Sequence, residues 1–366
     1  MTKVHSNGLV LHDFVKVPGG AERLALTLAD ELKADLVIGF ECPDIIRKLG
    51  FAGKVVPKSL ANHYDSNIRD YISLIKNFRY LTFEPNTRPW VIYSGNFAPL
   101  SVRYIDSPKQ ILYCNNIPRF IYDRRLQYLD EYSGWKTMFF RLFSHYMKRE
   151  YEKAFGSMDL IIANSANVQG KIKKFIGSDS IVVYPPCEVI DHWNGQGDFY
   201  VSTARLEKYK RVDTIIKAFL KMPQKKLVVM SGGSEEKVLR NLAHGAENII
   251  FTGWLGQKRM NEILGNSIAS IYVPEEEDFG ISPVESMASG KPVIGVSEGG
   301  LNETVIDGHT GMLINNGLTI EKLIEKVEAM TSHMALTMRD SCTFRAGDFS
   351  KERFVENISE YVNAGK

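Results

Sequence analysis

Two acidic residues, Glu277 and Glu285, stand eight positions apart around a short glycine-containing segment. Apolar stretches that read as short strands lie before and after this segment. The Ser-Pro-Val-Glu sequence beginning at Ser282 has the form of a capping box and predicts that a helix starts there, while Gly290 predicts where it ends. A helix N-terminus offers backbone N–H groups and a positive dipole end, so the pattern favours binding of an anion such as a phosphate.

A pair of cations, Arg205 and Lys210, follows the apolar stretch 199–204. That stretch predicts a strand, and a helix is predicted from about Val212 to Met222. Ligands of α/β proteins bind at the carboxyl ends of such strands. Two unit charges about 4 Å apart interact by roughly 4 kcal/mol at an effective dielectric near 20, so these cations could stabilise an anionic ligand or a developing negative charge. The alternative for both is ordinary solvated charge.

The N-terminal half begins with the same kind of unit. Gly19 and Gly20 lie between a predicted strand at 8–11 and a predicted helix from Ala21 to about Leu32. Strand, glycine turn and helix in this order are typical of Rossmann-like units. Because such patterns recur along both halves, the sequence predicts an α/β protein with two domains.

Composition narrows the class of protein. The 366 residues are 44% hydrophobic and 24% charged, with a net charge of +2. No apolar run reaches the roughly 18 residues of a membrane span, and the first residues lack the apolar core of a secretion signal. Four scattered cysteines suggest neither zinc nor disulfides. We therefore expect a cytoplasmic protein with no nucleic-acid partner.

The spacing Glu-x7-Glu contains Phe-Gly-x-x-Pro and is followed by Glu-x-Met-Ala-x-Gly-x-Pro-Val-Ile. Together with the later Gly-Gly-x-x-Glu from Gly299 to Glu303, it resembles the donor-site motif of family 4 retaining glycosyltransferases. The resemblance implies the GT-B fold, in which two Rossmann-like domains face each other across a cleft and a C-terminal helix crosses back to the first. On this basis we expect domains at 1–190 and 191–345, and the returning helix at 346–366.

The same resemblance implies a function: retaining, metal-independent transfer of a hexose from a nucleotide diphosphate sugar to a glycan or a lipid-linked acceptor. No cofactor other than this donor and no metal are expected. The implied catalytic residues are Glu277 at the sugar hydroxyls, with Arg205 and Lys210 at the diphosphate. The implied donor-binding residues are Gly19 and Gly20 at the diphosphate, Phe279, Gly280 and Ile281 through their amides, and Glu285 at the ribose.

One segment departs from the family pattern. The sequence from Tyr113 to Arg119 resembles the family's Tyr-x-His-x-x-x-Arg, but Asn115 stands in the histidine position. An amide can hydrogen-bond a sugar but cannot transfer a proton. We expect Asn115 and Arg119 to contact the acceptor or the sugar, and a salt bridge to a nearby aspartate is the alternative for Arg119.

The Pro-Glu-Glu-Glu-Asp-Phe-Gly variant of the motif is similar to that of bacterial mannosyl- and rhamnosyltransferases of surface polysaccharide synthesis, which favours a GDP-sugar over a UDP-sugar. Aromatic and basic residues at 135–155 predict either a helix touching an anionic membrane at the inner face or one packed on the N-terminal sheet. The alternatives to a transferase are a nucleotide-sugar epimerase of the same fold and a catalytically inactive, glycosyltransferase-like partner protein.

Overall fold

The computed structural model describes residues 8–17, 19–40, 43–61, 68–84, 87–130 and 132–363. Four places used in the sequence interpretation lie outside them: 1–7, Pro18, Cys42 and 364–366. The chain forms two compact units. One is Met1–Pro185 with Phe354–Lys366, and the other is Pro186–Arg353.

The first unit is built on parallel strands alternating with helices. Its strands are β1 (Leu9–His12), β2 (Asp35–Ile38), β3 (Lys58–Ser59), β4 (Val91–Ser94), β5 (Gln110–Cys114), β6 (Leu160–Ala163) and β7 (Ile181–Val182). Its helices are α1 (Gly20–Glu31), α2 (Pro43–Lys48), α3 (Ile68–Arg79), α4 (Arg125–Asp130), α5 (Trp135–Phe155) and α6 (Ala166–Ile176), with a 3₁₀ helix at Ala98–Tyr104. The described strands form one sheet in the order β3-β2-β1-β4-β5-β6-β7.

The central strands of this sheet are mostly apolar because both faces of the sheet are covered. Strands β1, β4 and β5 are buried at every residue. Residues of α3 and α5 pack in the core on one face, and residues of α1 pack in the core on the other. This arrangement brings the carboxyl ends of β1, β4 and β5 side by side at one edge.

The second unit repeats the plan. Its strands are β8 (Phe199–Ser202), β9 (Lys226–Val229), β10 (Ile249–Phe251), β11 (Ser270–Tyr272), β12 (Val293–Val296) and β13 (Gly311–Ile314). Its helices are α7 (Val212–Leu220), α8 (Glu236–Leu242), α9 (Gln257–Gly265), α10 (Ile281–Ala288), α11 (Leu301–Thr304), α12 (Ile320–Ala329), α13 (Ser332–Thr337) and α14 (Arg339–Gly347), with a 3₁₀ turn at Lys208–Lys210. The strands pair in parallel in the order β10-β9-β8-β11-β12-β13.

The chain ends with helix α15 (Lys351–Asn363), whose residues from Phe354 onward belong to the first unit. Phe354, Ile358 and Val362 recur every four residues and are buried with the α1 side of the first sheet. The Phe354 ring meets the Tyr113 ring edge-on at 5.9 Å between centroids. The predicted α/β architecture of two Rossmann-like domains is confirmed. Among the described helices, none combines the length and apolarity needed to cross a bilayer.

A buried lysine holds the segment that leads into the second unit. Lys291 is 0% exposed, and its ammonium donates to the Gly195 carbonyl at 2.7 Å and to Gln196 Oε1 at 2.9 Å. The Trp193 ring lies 5.7 Å away. These acceptors are neutral, so the lysine charge is stabilised mainly by hydrogen bonds, with a smaller contribution from the Asp191 carboxylate. Burial, with a smaller contribution from Arg339, lowers the pKa of Lys291 to about 8.

Because its pKa is lowered in the folded protein, Lys291 should make the stability of the fold depend on pH. Between pH about 8 and 10.5 the unfolded chain binds the Lys291 proton and the folded chain does not, so the contribution of Lys291 to the free energy of unfolding rises with pH. In urea unfolding, wild type should therefore gain stability relative to Lys291→Met between neutral pH and pH 10.5. Lys258 is exposed, so Lys258→Met is the control. The difference in unfolding free energy between wild type and Lys258→Met should stay the same over this pH range. An equal pH response of wild type and Lys291→Met would contradict this reading.

Candidate active site

Lys210 and Glu277 come together at the centre of the second sheet. Strands β8 and β11 are neighbours, and the chain leaves them in loops that carry Lys210 and Glu277 respectively. Lys210 Nζ lies 2.5 Å from Glu277 Oε2 and donates to the Tyr272 hydroxyl at 2.9 Å. This is where the strand order of the sheet reverses, the position at which open α/β sheets bind ligands.

The pair is largely shielded from water. The side chain of Lys210 is 8% exposed and that of Glu277 is 21% exposed. Burial alone would lower the pKa of Lys210, but the neighbouring Tyr272 and the Glu277 carboxylate outweigh it and hold the pKa above its ordinary value. Lys210 is therefore a permanently charged ammonium whose position is fixed by two contacts.

Arg205 is connected to Lys210 by the side chain of Tyr209, which lies near both cations. The Arg205 guanidinium donates to the Tyr209 hydroxyl at 3.4 Å, and the Tyr209 ring centroid lies 5.1 Å from Lys210 Nζ. Arg205 itself is exposed. The two predicted diphosphate ligands thus flank one tyrosine ring, one cation buried and the other open to solvent.

The predicted capping box at Ser282 is wrong. Helix α10 begins at Ile281, and its N-cap is Gly280, with φ 95° and no side-chain capping bond. Glycine adopts this left-handed conformation without strain, which lets the helix start two residues early. Glu285 therefore stands on the second turn rather than in the capping position. The predicted end is confirmed, because Gly290 follows the C-cap with φ 67°.

The loop before α10 rests on two glycines. Gly300 donates its N–H to the Glu277 carbonyl at 2.7 Å. A Cβ atom on Gly300 would lie 2.4 Å from Phe279 Cα, and one on Gly299 would lie 2.2 Å from the Glu277 carbonyl oxygen. The Phe279 ring is 3% exposed and packs edge-on against Phe349. These contacts fix the backbone from Glu277 to Phe279, and with it the position of the Glu277 carboxylate.

We expect Gly300→Ala to damage stability and site geometry together. Gly300 has an ordinary φ of −68°, so the change adds only the clash with the Phe279 backbone. Such overpacking costs about 2 kcal/mol of unfolding free energy, and a small displacement of a reacting group costs up to about 10²-fold in rate. Gly347→Ala, which meets nothing within 4 Å, is the matched control. Thermal melting and donor turnover measure the two effects, and a Gly300→Ala protein equal to Gly347→Ala in both would show that the close packing is unimportant.

The glycine turn of the first unit also starts a helix. Gly19 is the N-cap of α1 and Gly20 is its first residue. A Cβ atom on Gly19 would lie 2.4 Å from Glu22 Oε2, so a carboxylate lies against the turn where the family resemblance expects a diphosphate. Glu22 is 7% exposed. An anion binding at this turn would have to displace or protonate that carboxylate.

Asn115 is part of a row of hydrogen-bonded polar side chains at the carboxyl ends of the strands of the first sheet. Its side-chain N–H donates to Ser94 Oγ at 3.0 Å, and the same oxygen lies 3.2 Å from His12 Nδ1. Burial lowers the pKa of His12 to about 4, so this imidazole is neutral at physiological pH. Because Ser94 holds the amide nitrogen, the amide oxygen of Asn115 is the atom oriented to accept a hydrogen bond from a ligand.

Arg119 lies in a salt-bridge cluster. Its Nε is 3.7 Å from Asp123 Oδ2, and Lys171 Nζ is 3.7 Å from the same oxygen. The alternative reading of Arg119, a salt bridge to a nearby aspartate, is therefore what the structure shows. Its assignment to the acceptor stays a prediction.

Three polar residues near these sites were missed in the sequence. Tyr272 is the last residue of β11 and contacts Lys210, while His12 is the last residue of β1 and Asp13 follows it. Asp13 accepts the backbone N–H groups that open the 3₁₀ helix, at 2.6 to 2.8 Å, and burial raises its pKa to about 6. Polar residues at the carboxyl ends of buried parallel strands were the available signal.

The chain is similar in sequence to known proteins. Residues 190–342 match the family model described as glycosyl transferases group 1. The α-1,3/1,6-mannosyltransferase ALG2 of Dictyostelium discoideum is 33% identical over 141 residues, which is 32% of this chain and 34% of that protein. Human ALG2 is 25% identical over 320 residues, 73% of this chain and 76% of the relative. The Dictyostelium match thus spans about a third of that relative's length.

Similarity to solved structures covers nearly the whole chain. The crystal structure of Anabaena Alr3699/HepE in complex with UDP and glucose matches 99% of this chain and 100% of its own, with a TM-score of 0.73 and 16% identity. At this identity the match establishes the fold. The chain therefore has the GT-B fold, and its residues 190–342 match the model of the group 1 glycosyl transferases.

Proposed function

We propose that this protein is a retaining, metal-independent glycosyltransferase that moves a hexose from a nucleotide diphosphate sugar to a glycan or a lipid-linked acceptor. The observation that carries the proposal is the buried Lys210–Glu277 pair at the point where the strand order of the second sheet reverses. A structural ion pair would need no such place, whereas a site for an anionic sugar donor needs a cation and a carboxylate together. The mannosyltransferase names of relatives and the UDP bound to HepE support it.

In this proposal Lys210 and Glu277 bind different parts of the donor. An ammonium has three N–H groups, and Lys210 directs two of them to Tyr272 and Glu277, which leaves the third for a phosphate oxygen. Arg205 adds a solvent-exposed guanidinium for the same diphosphate. The Glu277 carboxylate is proposed to accept hydrogen bonds from sugar hydroxyls. Glu285 on α10 is proposed for the ribose, and the amides of Phe279, Gly280 and Ile281 for the sugar and phosphate.

Transfer breaks the bond between the anomeric carbon and the phosphate oxygen, and the electron pair leaves with the diphosphate. The acceptor hydroxyl forms the new carbon–oxygen bond, and its proton passes to the leaving phosphate oxygen. Cations already placed at the diphosphate lower the barrier because they meet the charge as it develops. The protein needs no separate base for this step, which fits Asn115 in place of histidine.

For the donor we propose a GDP-hexose such as GDP-mannose, because two of the relatives that this chain resembles are mannosyltransferases. The cations of the N-terminal half favour an acceptor that carries negative charge, since residues 1–194 contain 25 Lys and Arg against 20 Asp and Glu. We propose that the protein works in the cytoplasm at the inner face of the membrane.

The test is a panel of GDP- and UDP-sugars incubated with the purified protein in excess EDTA, with release of the nucleoside diphosphate as the readout. We expect slow release from a GDP-hexose without acceptor and faster release when membrane extract supplies one. The product should keep the anomeric configuration of the donor. A strict requirement for Mg²⁺ would contradict metal independence. An epimerised donor with no nucleotide released would favour the epimerase, and no reaction with any donor would favour an inactive partner protein.

A further inference from the structure

The first unit carries an open groove of about 600 Å³ between α3 and α5, beside the 3₁₀ helix Ala98–Tyr104. Its walls are mainly apolar. On α3 the lining residues are Ile72, Ile75, Lys76 and Arg79, which recur at the i, i+3, i+4, i+7 spacing of one helix face. Such a face is normally closed by packing, and here it borders a space large enough for a ligand.

Helix α5 supplies the opposite wall with the same spacing: Phe139, Leu142, Phe143 and Tyr146. Leu142 is 66% exposed. Two helices therefore turn an apolar face toward the same space, and neither face is fully covered. The dimensions and lining suit an unbranched hydrocarbon chain better than a polar sugar, because most of the lining surface is apolar.

One end of the groove is polar. The Arg79 guanidinium donates to the Tyr104 hydroxyl at 3.3 Å and to the Tyr146 hydroxyl, and it lies 3.3 Å from Glu150 Oε2. Lys153 contacts the Glu150 carboxylate as well, at 2.8 Å. Each tyrosine oxygen accepts from Arg79, so its own hydrogen is directed elsewhere. The two hydroxyls lie at the Arg79 guanidinium, and all three groups can donate hydrogen bonds to a phosphate.

The outer surface of α5 has the composition of a helix that lies at a membrane interface. Trp135 and Met138 are 69% and 67% exposed and continue the apolar stripe of Leu142 toward the start of the helix. Residues 132–149 contain four Lys and Arg and no Asp or Glu. Exposed apolar side chains flanked by cations bind anionic lipid surfaces.

We propose that the groove binds the hydrocarbon chain of an anionic phospholipid, with its phosphate at Arg79, Tyr104 and Tyr146 while α5 lies among the head groups. The charge of α5 favours this occupant over a second copy of the chain, because a symmetric contact would set the same cations against each other. The inference does not rest on the proposed glycosyl transfer, since lipid binding involves neither Lys210 nor a sugar donor.

The experiment is co-sedimentation of the full chain with vesicles of phosphatidylcholine, alone or mixed with phosphatidylglycerol. We expect Leu142→Glu to weaken binding about 10-fold or more, the effect of withdrawing one leucine from the lipid. Arg79→Gln should weaken binding about 5-fold on the anionic vesicles and less on pure phosphatidylcholine, where choline balances the charge of the phosphate. Leu126→Glu is the matched control, because Leu126 is 75% exposed on α4 of the same unit and lies away from the groove lining. Thermal melting checks that all variants fold.

A second readout separates chain insertion from surface contact. With Trp135 replaced by phenylalanine, the fluorescence that Phe139→Trp adds should be quenched by phospholipids brominated in their acyl chains, whereas the fluorescence that Leu126→Trp adds should not. The Trp135→Phe protein, which keeps three other tryptophans, gives the baseline. Equal vesicle binding by Leu142→Glu and Leu126→Glu would overturn the proposal. So would unquenched Phe139→Trp, which would mean that the helix touches only head groups. A concentration-dependent dimer that Leu142→Glu abolishes, without vesicle binding, would assign the groove to a second copy instead.

Discussion

Lys210→Ala should lower kcat for donor turnover by about 10² to 10³-fold, which is the usual cost of removing one preorganised donor from a developing oxyanion. The structure supports a loss of this size because Lys210 is buried and held by two contacts rather than mobile on the surface. Water would be a poor substitute for the Lys210 ammonium, because the attraction between this cation and the diphosphate is stronger in a buried, low-dielectric site than in water. The measurement is steady-state release of the nucleoside diphosphate.

The matched control for this change is Lys208→Ala. Lys208 opens the same 3₁₀ turn and is exposed, so it should retain turnover within about 2-fold, as solvated surface charges contribute little. Removing Lys210 leaves Glu277 without its ammonium partner, yet that carboxylate is 21% exposed and can be hydrated. We therefore expect the variant to fold. If both alanine variants turn over the donor equally, Lys210 is not the diphosphate ligand.

Glu277→Gln should have the second large effect, on stability and on catalysis. The buried Lys210 ammonium would lose its charge partner, and breaking a buried pair by removing one member costs about 3 kcal/mol. The pKa of Lys210 would fall, because burial would no longer be offset by the carboxylate. Turnover should drop by about 10²-fold, since the amide binds sugar hydroxyls but leaves the cation poorly placed. Urea unfolding and donor turnover give the two values.

Glu276→Gln makes the same chemical change one residue earlier, at an exposed position. It should leave both the free energy of unfolding and the turnover close to those of wild type. A Glu277→Gln protein as stable and as active as Glu276→Gln would show that the ion pair is incidental to the fold and to the site.

Much of the fold could be predicted from local pattern. The strands of both sheets are short apolar runs, and the helices between them follow periodic apolar residues, so the alternation was visible without tertiary information. The start of α10 was not, because Ser-Pro-Val-Glu satisfies the capping pattern that Gly280 overrides by adopting a left-handed conformation. Local rules fail where one backbone conformation decides between two acceptable starts.

The site was predictable as a set of residues and less so as an arrangement. Lys210 and Glu277 were both expected at a donor site, but their pairing depends on the adjacency of β8 and β11, which are separated by two intervening strands in sequence. Tyr272 and His12 were missed for the same reason. Each is placed in the site by a contact with a residue that follows or ends a neighbouring strand, and nothing in its own segment of sequence indicates that contact.

The central claim is that Lys210 and Arg205 bind the diphosphate of a nucleotide sugar. Isothermal titration of the purified chain with GDP and UDP in excess EDTA tests it without knowledge of the acceptor. We expect wild type to bind one of them, and Lys210→Ala and Arg205→Ala to bind it at least about 10-fold more weakly, with Lys208→Ala unchanged. Binding of neither nucleotide by wild type, or equal affinity in all four proteins, would contradict the account.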